Sequence, residues 1–252
     1  MSSLYRFNNE TAPLNAVQPF RSGGKHYRSA CIQDVDVHYE EPSIIMKSNQ
    51  LWEVLSNAVH QGGLVKANTA VNVRVPLTYE SEEPQHDFMR FLHNRQLSPA
   101  HTTGFMTAAK LSHAACCDYA AEDFSLLAIA TAGTSNAARA GLERDTYPGY
   151  HAGTINLFLW IDGRMSQAAM VNAMMTATEA KCAALADVGV MDSVHDLVAT
   201  GTTTDAVCLA VSQSARYMHE HAYAGTATTL GCQLARLVYA VIYKAVYTQQ
   251  HD

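Results

Sequence analysis

The chain has 252 residues, 17 basic and 23 acidic, for a net charge of −6, and only 16% of its residues are charged, against about 25% in an ordinary soluble protein. Net acidity without a Lys/Arg block argues against a nucleic-acid partner, which needs clustered cations, and against an anionic membrane surface. No run approaches the roughly 18 apolar residues that span a bilayer, and the start, MSSLYRFNNETAP, lacks the apolar stretch of a secretory signal, so a cytoplasmic protein is expected.

In chain order, the first 42 residues are polar, carry Pro13, Pro19 and Pro42, and show no sustained periodicity. They are expected to be an irregular N-terminal segment ahead of a single domain over 43–252. Ser43–Lys47 and Leu51–Ala58 are short strand candidates, the second closed by Gly62-Gly63. Val65–Leu77 alternates through Val71, Val73 and Val75 up to Pro76, as a half-buried strand does. His86–Arg95 reads as a short helix, and Gly104–Leu111 fits either strand or helix.

Two apolar runs, Phe124–Thr131 (FSLLAIAT) and Thr154–Ile161 (TINLFLWI), read as buried strands, the second ended by Asp162-Gly163 as a turn or hairpin signal. Met165–Asp187 is the clearest helix, with eight Ala, no internal Pro or Gly, and Gly189 as a stop. Asp205–Ser212 is a further strand, and Thr226–Tyr247 a last long helix with an apolar stripe. Neighbouring strands without intervening helices argue against a regular βαβ array. The expected fold is α+β: a layered α/β sandwich, of which αββα is one form, with a mixed or antiparallel sheet and two long C-terminal helices. The six Cys (31, 116, 117, 182, 208 and 232) form no C-x-x-C pair and are expected to be reduced, mostly as small core residues.

The most specific feature is a repeated loop. Gly-Thr occurs at 133–134, 153–154, 201–202 and 225–226, and three of these are followed by Asn136, Asn156 or Asp205. Each of the three lies at an end of an expected strand. Glycine permits close backbone approach, and Thr134, Thr154, Thr202, Thr204 and the Asn or Asp side chains bring hydroxyl, amide and carboxylate groups. Taken singly, such loops read as ordinary turns. Gathered at one sheet rim, they would form a polar ligand site.

Glu179 shares a helical face with Met175, Cys182 and Ala183. If that face is buried, Glu179 has the setting of a general acid or base; otherwise it is a solvated glutamate. Lys181, two residues on, is expected to point elsewhere. His101, in SPAHTTG, is a loop histidine that can serve as a base or do nothing. His219 and His221 complete no metal-ligand pattern, and no protein-held metal is expected.

The stretches VLSNAVHQGGL (54–64), ANTAVNVRVP (67–76), TTGFMTAA (102–109), TAGTSNAARAG (131–141), the GTIN…TEAK…VGV segment (153–190), ATGTTTDAVCLA (199–210) and YAGTATTLGCQLAR (223–236) together resemble the adenosylcobinamide amidohydrolases, in family order over roughly 43–248. Asn57 departs from the pattern, where a second Ser is expected. The resemblance implies hydrolysis of the amide between the aminopropanol arm and a propionate side chain of the corrin ring, giving adenosylcobyric acid in corrinoid salvage, with some members also acting on complete cobamides. The cobalt would belong to the substrate, with no cofactor of the protein's own.

On that reading Glu179 or Asp205 activates water, or Thr202 or Thr204 is a covalent nucleophile. Asn136, Asn156, Thr134 and Thr154 bind the substrate, Ser56 and Asn72 line its groove, and Lys181 steadies a carboxylate. Two other readings stay open: an autoprocessing N-terminal-nucleophile peptidase with an αββα sandwich, and a non-catalytic corrinoid binder. The Ala-rich C-terminal part can also supply a homo-oligomer interface.

Overall fold

The computed structural model describes residues 14–144 and 153–251. In chain order it contains β1 (His26–Arg28), β2 (Val35–Glu40), β3 (Ser43–Ser56), β4 (Gly63–Arg74), α1 (Pro84–Asn94), β5 (Thr102–Thr107), β6 (Ala115–Ala120), β7 (Ser125–Ala132), β8 (Ala137–Ala138), β9 (Ile155–Asp162), α2 (Gln167–Val188), β10 (Met191–Asp192), β11 (Leu197–Val198), β12 (Gly201–Thr202), β13 (Ala206–Val211) and α3 (Thr229–Gln250). The main sheet is mixed, in the order β1-β2-β3-β13-β9-β7-β6, with β4 on β3 and β5 beside β4. The expected α+β class is found.

One long strand makes the sheet curl. β3 pairs with β2 through residues 43–48 and with β13 through 53–56, while β4 follows it along both halves. The β3–β4 register shifts between Lys47 and Trp52, and a bulge of this kind bends a strand and increases its twist. The β2–β5 side thereby folds over the β13-β9-β7-β6 side. Alternating residues of the two halves meet in an inner core, where Trp52 meets Trp160 edge-on at 5.0 Å and Phe105 meets Phe158 at 4.9 Å.

Opposite faces are covered by helices. Ile155, Leu157, Leu159 and Ile161 of β9, with Leu209 and Val211 of β13, pack under α2 and α3. Val71 and Val73 of β4 pack under Phe88 and Leu92 of α1. The layers thus run α1, sheet half, sheet half, α2 with α3. Ser166 caps α2 by accepting from the Ala169 N–H at 3.1 Å, and Gly189 ends it in a left-handed conformation, as its place after the helix suggests. Among the described residues no helix is long and apolar enough to cross a membrane.

Several expectations change. Residues within 1–42 are not all irregular: β1 and β2 join the sheet, and Phe20, Ile32, Val35 and Val37 are core residues. The alternation Val35, Val37, Tyr39 is too short to stand out from the polar segment around it. The candidates 43–47 and 51–58 are one strand, because a bulge rather than a turn separates them. Asp162-Gly163 does not open a hairpin but leads into α2. β6, ACCDYA, was not expected as a strand, since Ala and Cys carry little strand preference; its burial on the β7 edge overrides that.

Candidate active site

Sheet topology decides which loop ends meet. β7 runs antiparallel to β9, and β9 parallel to β13. The C-terminal end of β7 and the N-terminal ends of β9 and β13 therefore lie on one rim, which brings the loops 133–136, 153–156 and 201–205 side by side. The fourth Gly-Thr, at 225–226, precedes α3 and packs by Asn172 of α2 instead.

Asp205 is the hub. Its Oδ1 accepts from the Thr202 N–H at 3.1 Å, the Ile155 N–H at 3.3 Å and the Thr202 hydroxyl, while its Oδ2 accepts from Lys181 Nζ. The two side chains of this ion pair are 10% and 14% exposed. Its backbone carbonyl accepts from Asn57 Nδ2 at 2.9 Å, and Asn57 Oδ1 accepts from the Val207 N–H at 2.8 Å, so Asn57 clamps the start of β13. A β-carbon on Gly201 would stand 2.4 Å from Asp205 Oδ2 and 2.8 Å from Lys181 Nζ. Glycine there leaves the space the ion pair occupies.

The loops also clasp one another. Thr204 Oγ1 donates to the Gly153 carbonyl at 2.7 Å, and Thr154 Oγ1 donates back to the Thr204 carbonyl at 2.6 Å. Asn136 Nδ2 reaches Thr203 Oγ1 at 2.8 Å and Thr204 Oγ1 at 3.4 Å. A β-carbon on Gly153 would lie 2.5 Å from Asn136 Oδ1. Outside this clasp, fully buried Asp192 accepts from the Arg139 N–H, from His195 and from Arg144, pinning the 136–144 stretch to the 192–198 turn. Burial alone would raise the Asp192 carboxyl, but these hydrogen bonds, Arg144 first, outweigh it and hold it well below the usual range.

A cleft of about 210 Å3 opens beside the cluster, lined on its buried side by Phe105, Thr107, Thr154 and Asn156 and toward its mouth by Asn57, Val59, Tyr79 and Pro84. Beneath it runs a buried polar chain: Asn156 Nδ2 donates to Asn72 Oδ1 at 2.8 Å, and Asn72 Nδ2 to Thr131 Oγ1 at 2.9 Å. Ser56 lies on the same inner face, its hydroxyl 3.3 Å from that of Thr103.

The structure thus brings together Asn136, Thr154, Asn156, Thr202, Thr204, Asp205 and Lys181, with Asn72 under the cleft floor. It does not bring Glu179, Thr134 or His101 into this cluster. Glu179 is exposed, and its supposed apolar neighbour Met175 is 57% exposed, so the buried setting expected of Glu179 is absent. Lys181, expected to point away from the site, is the buried one. The cause is that hydrophobicity is spread almost evenly around Ala-rich α2, so composition does not say which side faces the sheet. Thr134 accepts from Gln250 at 3.4 Å, at the end of α3, and His101 is exposed.

Nothing local in the sequence marks the clamp made by Asn57 or the part of Thr203. Both act through tertiary contacts that leave no local pattern. Burial pushes the Cys117 thiol up to about 11 and those of Cys116 and Cys208 upward as well, which suits inert core thiols rather than nucleophiles. Among the described residues no group of three or more His, Cys, Asp and Glu side chains is placed to hold a metal ion.

Comparison with known proteins agrees with the resemblance that the sequence motifs carry. The adenosylcobinamide amidohydrolase family model matches residues 28–252. The adenosylcobinamide amidohydrolase of Methanosarcina mazei is 28% identical over 207 residues, covering 80% of this chain and 92% of that protein. An uncharacterized Methanocaldococcus jannaschii protein is 29% identical over 161 residues, 57% of this chain and 62% of its own length. The crystal structure of the Pyrococcus horikoshii PH0078 protein aligns over 94% of this chain and 83% of its own at a TM-score of 0.42 and 6% identity, too loosely to bear on the site.

Proposed function

The chain belongs to the adenosylcobinamide amidohydrolase family, and from that premise we propose that it hydrolyses the amide joining the aminopropanol arm of adenosylcobinamide to its corrin propionate, releasing adenosylcobyric acid and 1-amino-2-propanol. The observation that carries this reading is the clasp of three strand-end loops around Asp205 beside a cleft of about 210 Å3. That volume is below the roughly 300–1,000 Å3 that encloses a drug-sized ligand. It suits an amide arm, with the macrocycle resting outside against Val59, Tyr79 and Pro84. The cobalt comes with the substrate, and the protein needs no cofactor of its own. The reaction would serve corrinoid salvage in the cytoplasm.

Thr202 is the hydroxyl of the cluster that donates to a carboxylate; those of Thr154 and Thr204 donate to backbone carbonyls. A carboxylate acceptor is what makes a threonine oxygen a better nucleophile. Thr202 Oγ1 attacks the amide carbon while its proton passes to Asp205. The C–N bond then breaks, the nitrogen takes that proton and leaves as the amine, and water cleaves the resulting ester to free the carboxylic acid and Thr202. Lys181 holds the carboxylate in place throughout. Thr204 and Asn57 line the wall along which the arm lies, and Asn136 holds Thr204 from behind.

The test is incubation with adenosylcobinamide and with intact cobamides, followed by mass spectrometry. Appearance of adenosylcobyric acid is the expected result; unchanged adenosylcobinamide overturns the reading. An acyl-enzyme mass on Thr202 would support the covalent route, and full turnover by folded Thr202→Ala would remove it while leaving the reaction itself intact.

A further inference from the structure

One polar atom at the cleft floor lacks a good partner within the protein. Asn156 is 1% exposed, on the inner face of β9. Its Nδ2 donates to Asn72 Oδ1 at 2.8 Å and to the Met106 carbonyl at 3.1 Å, which uses both of its hydrogens. Asn72, fully buried, donates in turn to Thr131 Oγ1 at 2.9 Å. The Asn156 amide therefore has one orientation, because a flip would set its oxygen against the Met106 carbonyl, which cannot donate. Its Oδ1 is left facing Thr154, whose hydroxyl lies 3.5 Å away. That hydroxyl has a single hydrogen and gives it to the Thr204 carbonyl at 2.6 Å. A buried carbonyl oxygen short of a donor is costly, and a ligand that brings an O–H or N–H removes the cost.

Resting on the reading that the arm of adenosylcobinamide enters this cleft, we infer that Asn156 is a specificity-determining residue whose Oδ1 accepts a hydrogen bond from the hydroxyl of the aminopropanol arm. The macrocycle is too large for about 210 Å3, so the arm enters by its free end. The hydroxyl sits one carbon from that end and reaches the floor beside Asn156. The terminal methyl lies against Phe105, and the scissile amide stays nearer the 202–204 loop. The site then selects an amino-alcohol arm rather than any amine of similar length.

The experiment compares kcat/KM for adenosylcobinamide with that for the analogue carrying a propylamine arm, which lacks only the hydroxyl, in the wild-type protein, Asn156→Ala and Asn156→Ser. Wild type is expected to favour the hydroxyl-bearing arm by on the order of 10- to 100-fold. Asn156→Ala should reduce that preference to within about threefold, and Asn156→Ser, whose shorter side chain ends short of the arm, should reduce it likewise. Equal rates on both substrates in wild type, or a preference undiminished in folded Asn156→Ala, overturn the inference. Should Asn156→Ala not fold, an undiminished preference in folded Asn156→Ser overturns it equally. Failure of wild type to hydrolyse either substrate is instead the failure of the amidohydrolase reading itself.

Discussion

Lys181, in the C-terminal half of α2, reaches across to Asp205 at the mouth of the last strand, and the two form a nearly buried ion pair that fits only because residue 201 has no side chain. The pair joins the helical layer to the loop cluster. It fixes the carboxylate that holds Thr202 and, through the Asp205 backbone and Asn57, the start of β13.

Lys181→Met should destabilise the protein by about 3 kcal/mol, because it leaves a buried carboxylate without its cation. Denaturant unfolding of Lys181→Met, Asp205→Asn and the double variant measures this. The double variant is expected to lose less than the sum of the two single losses.

Gly201→Ala should move the ion pair rather than unfold the chain. The added β-carbon meets Asp205 Oδ2 and Lys181 Nζ well inside contact distance. A stability loss of about 1–3 kcal/mol is expected, with a larger proportional fall in turnover than in thermal stability. Calorimetry and rate measurement on the same preparation separate the two.

Glu179→Gln and Asp205→Asn should behave oppositely. Glu179 is solvent-exposed, so its substitution should change stability by less than about 0.5 kcal/mol and leave turnover close to wild type. Asp205→Asn removes the acceptor of the Thr202 proton and should lower kcat on the order of 100-fold or more. Full activity in Asp205→Asn would move the chemistry elsewhere.

Stability should fall as the pH drops below the ordinary histidine value of 6.5, because of His221. Burial, with His219 nearby, lowers its proton affinity in the folded protein, against the bond to the Asp123 backbone that favours the charged form. The unfolded chain therefore binds the proton first, and the stabilisation present above 6.5 is lost as pH falls through the lowered folded value. His221→Phe keeps the edge-on packing against Phe124 and should flatten the melting temperature between pH 7.5 and 5.5 relative to wild type, when both are followed by thermal denaturation at several pH values.

The Gly-Thr loops and the apolar strands beside them were legible because their signals are local: glycine before small polar residues, and β-branched or aromatic runs ended by turns. Those local signals suffice for the α+β class, the two long helices and a set of hydroxyl, amide and carboxylate side chains at strand ends. They leave open which of these meet. Asn136, Thr154 and Asp205 share a rim only because β7, β9 and β13 take particular directions in the sheet, and strand order is set by burial of whole faces rather than by any loop. On α2, residues 179 and 181 lie about 200° apart around the axis, so placing one against the sheet sends the other to solvent. Apolar side chains lie nearly all around that helix, and only its packing against the sheet and α3 decided that Lys181 would face Asp205 and that Glu179 would face water.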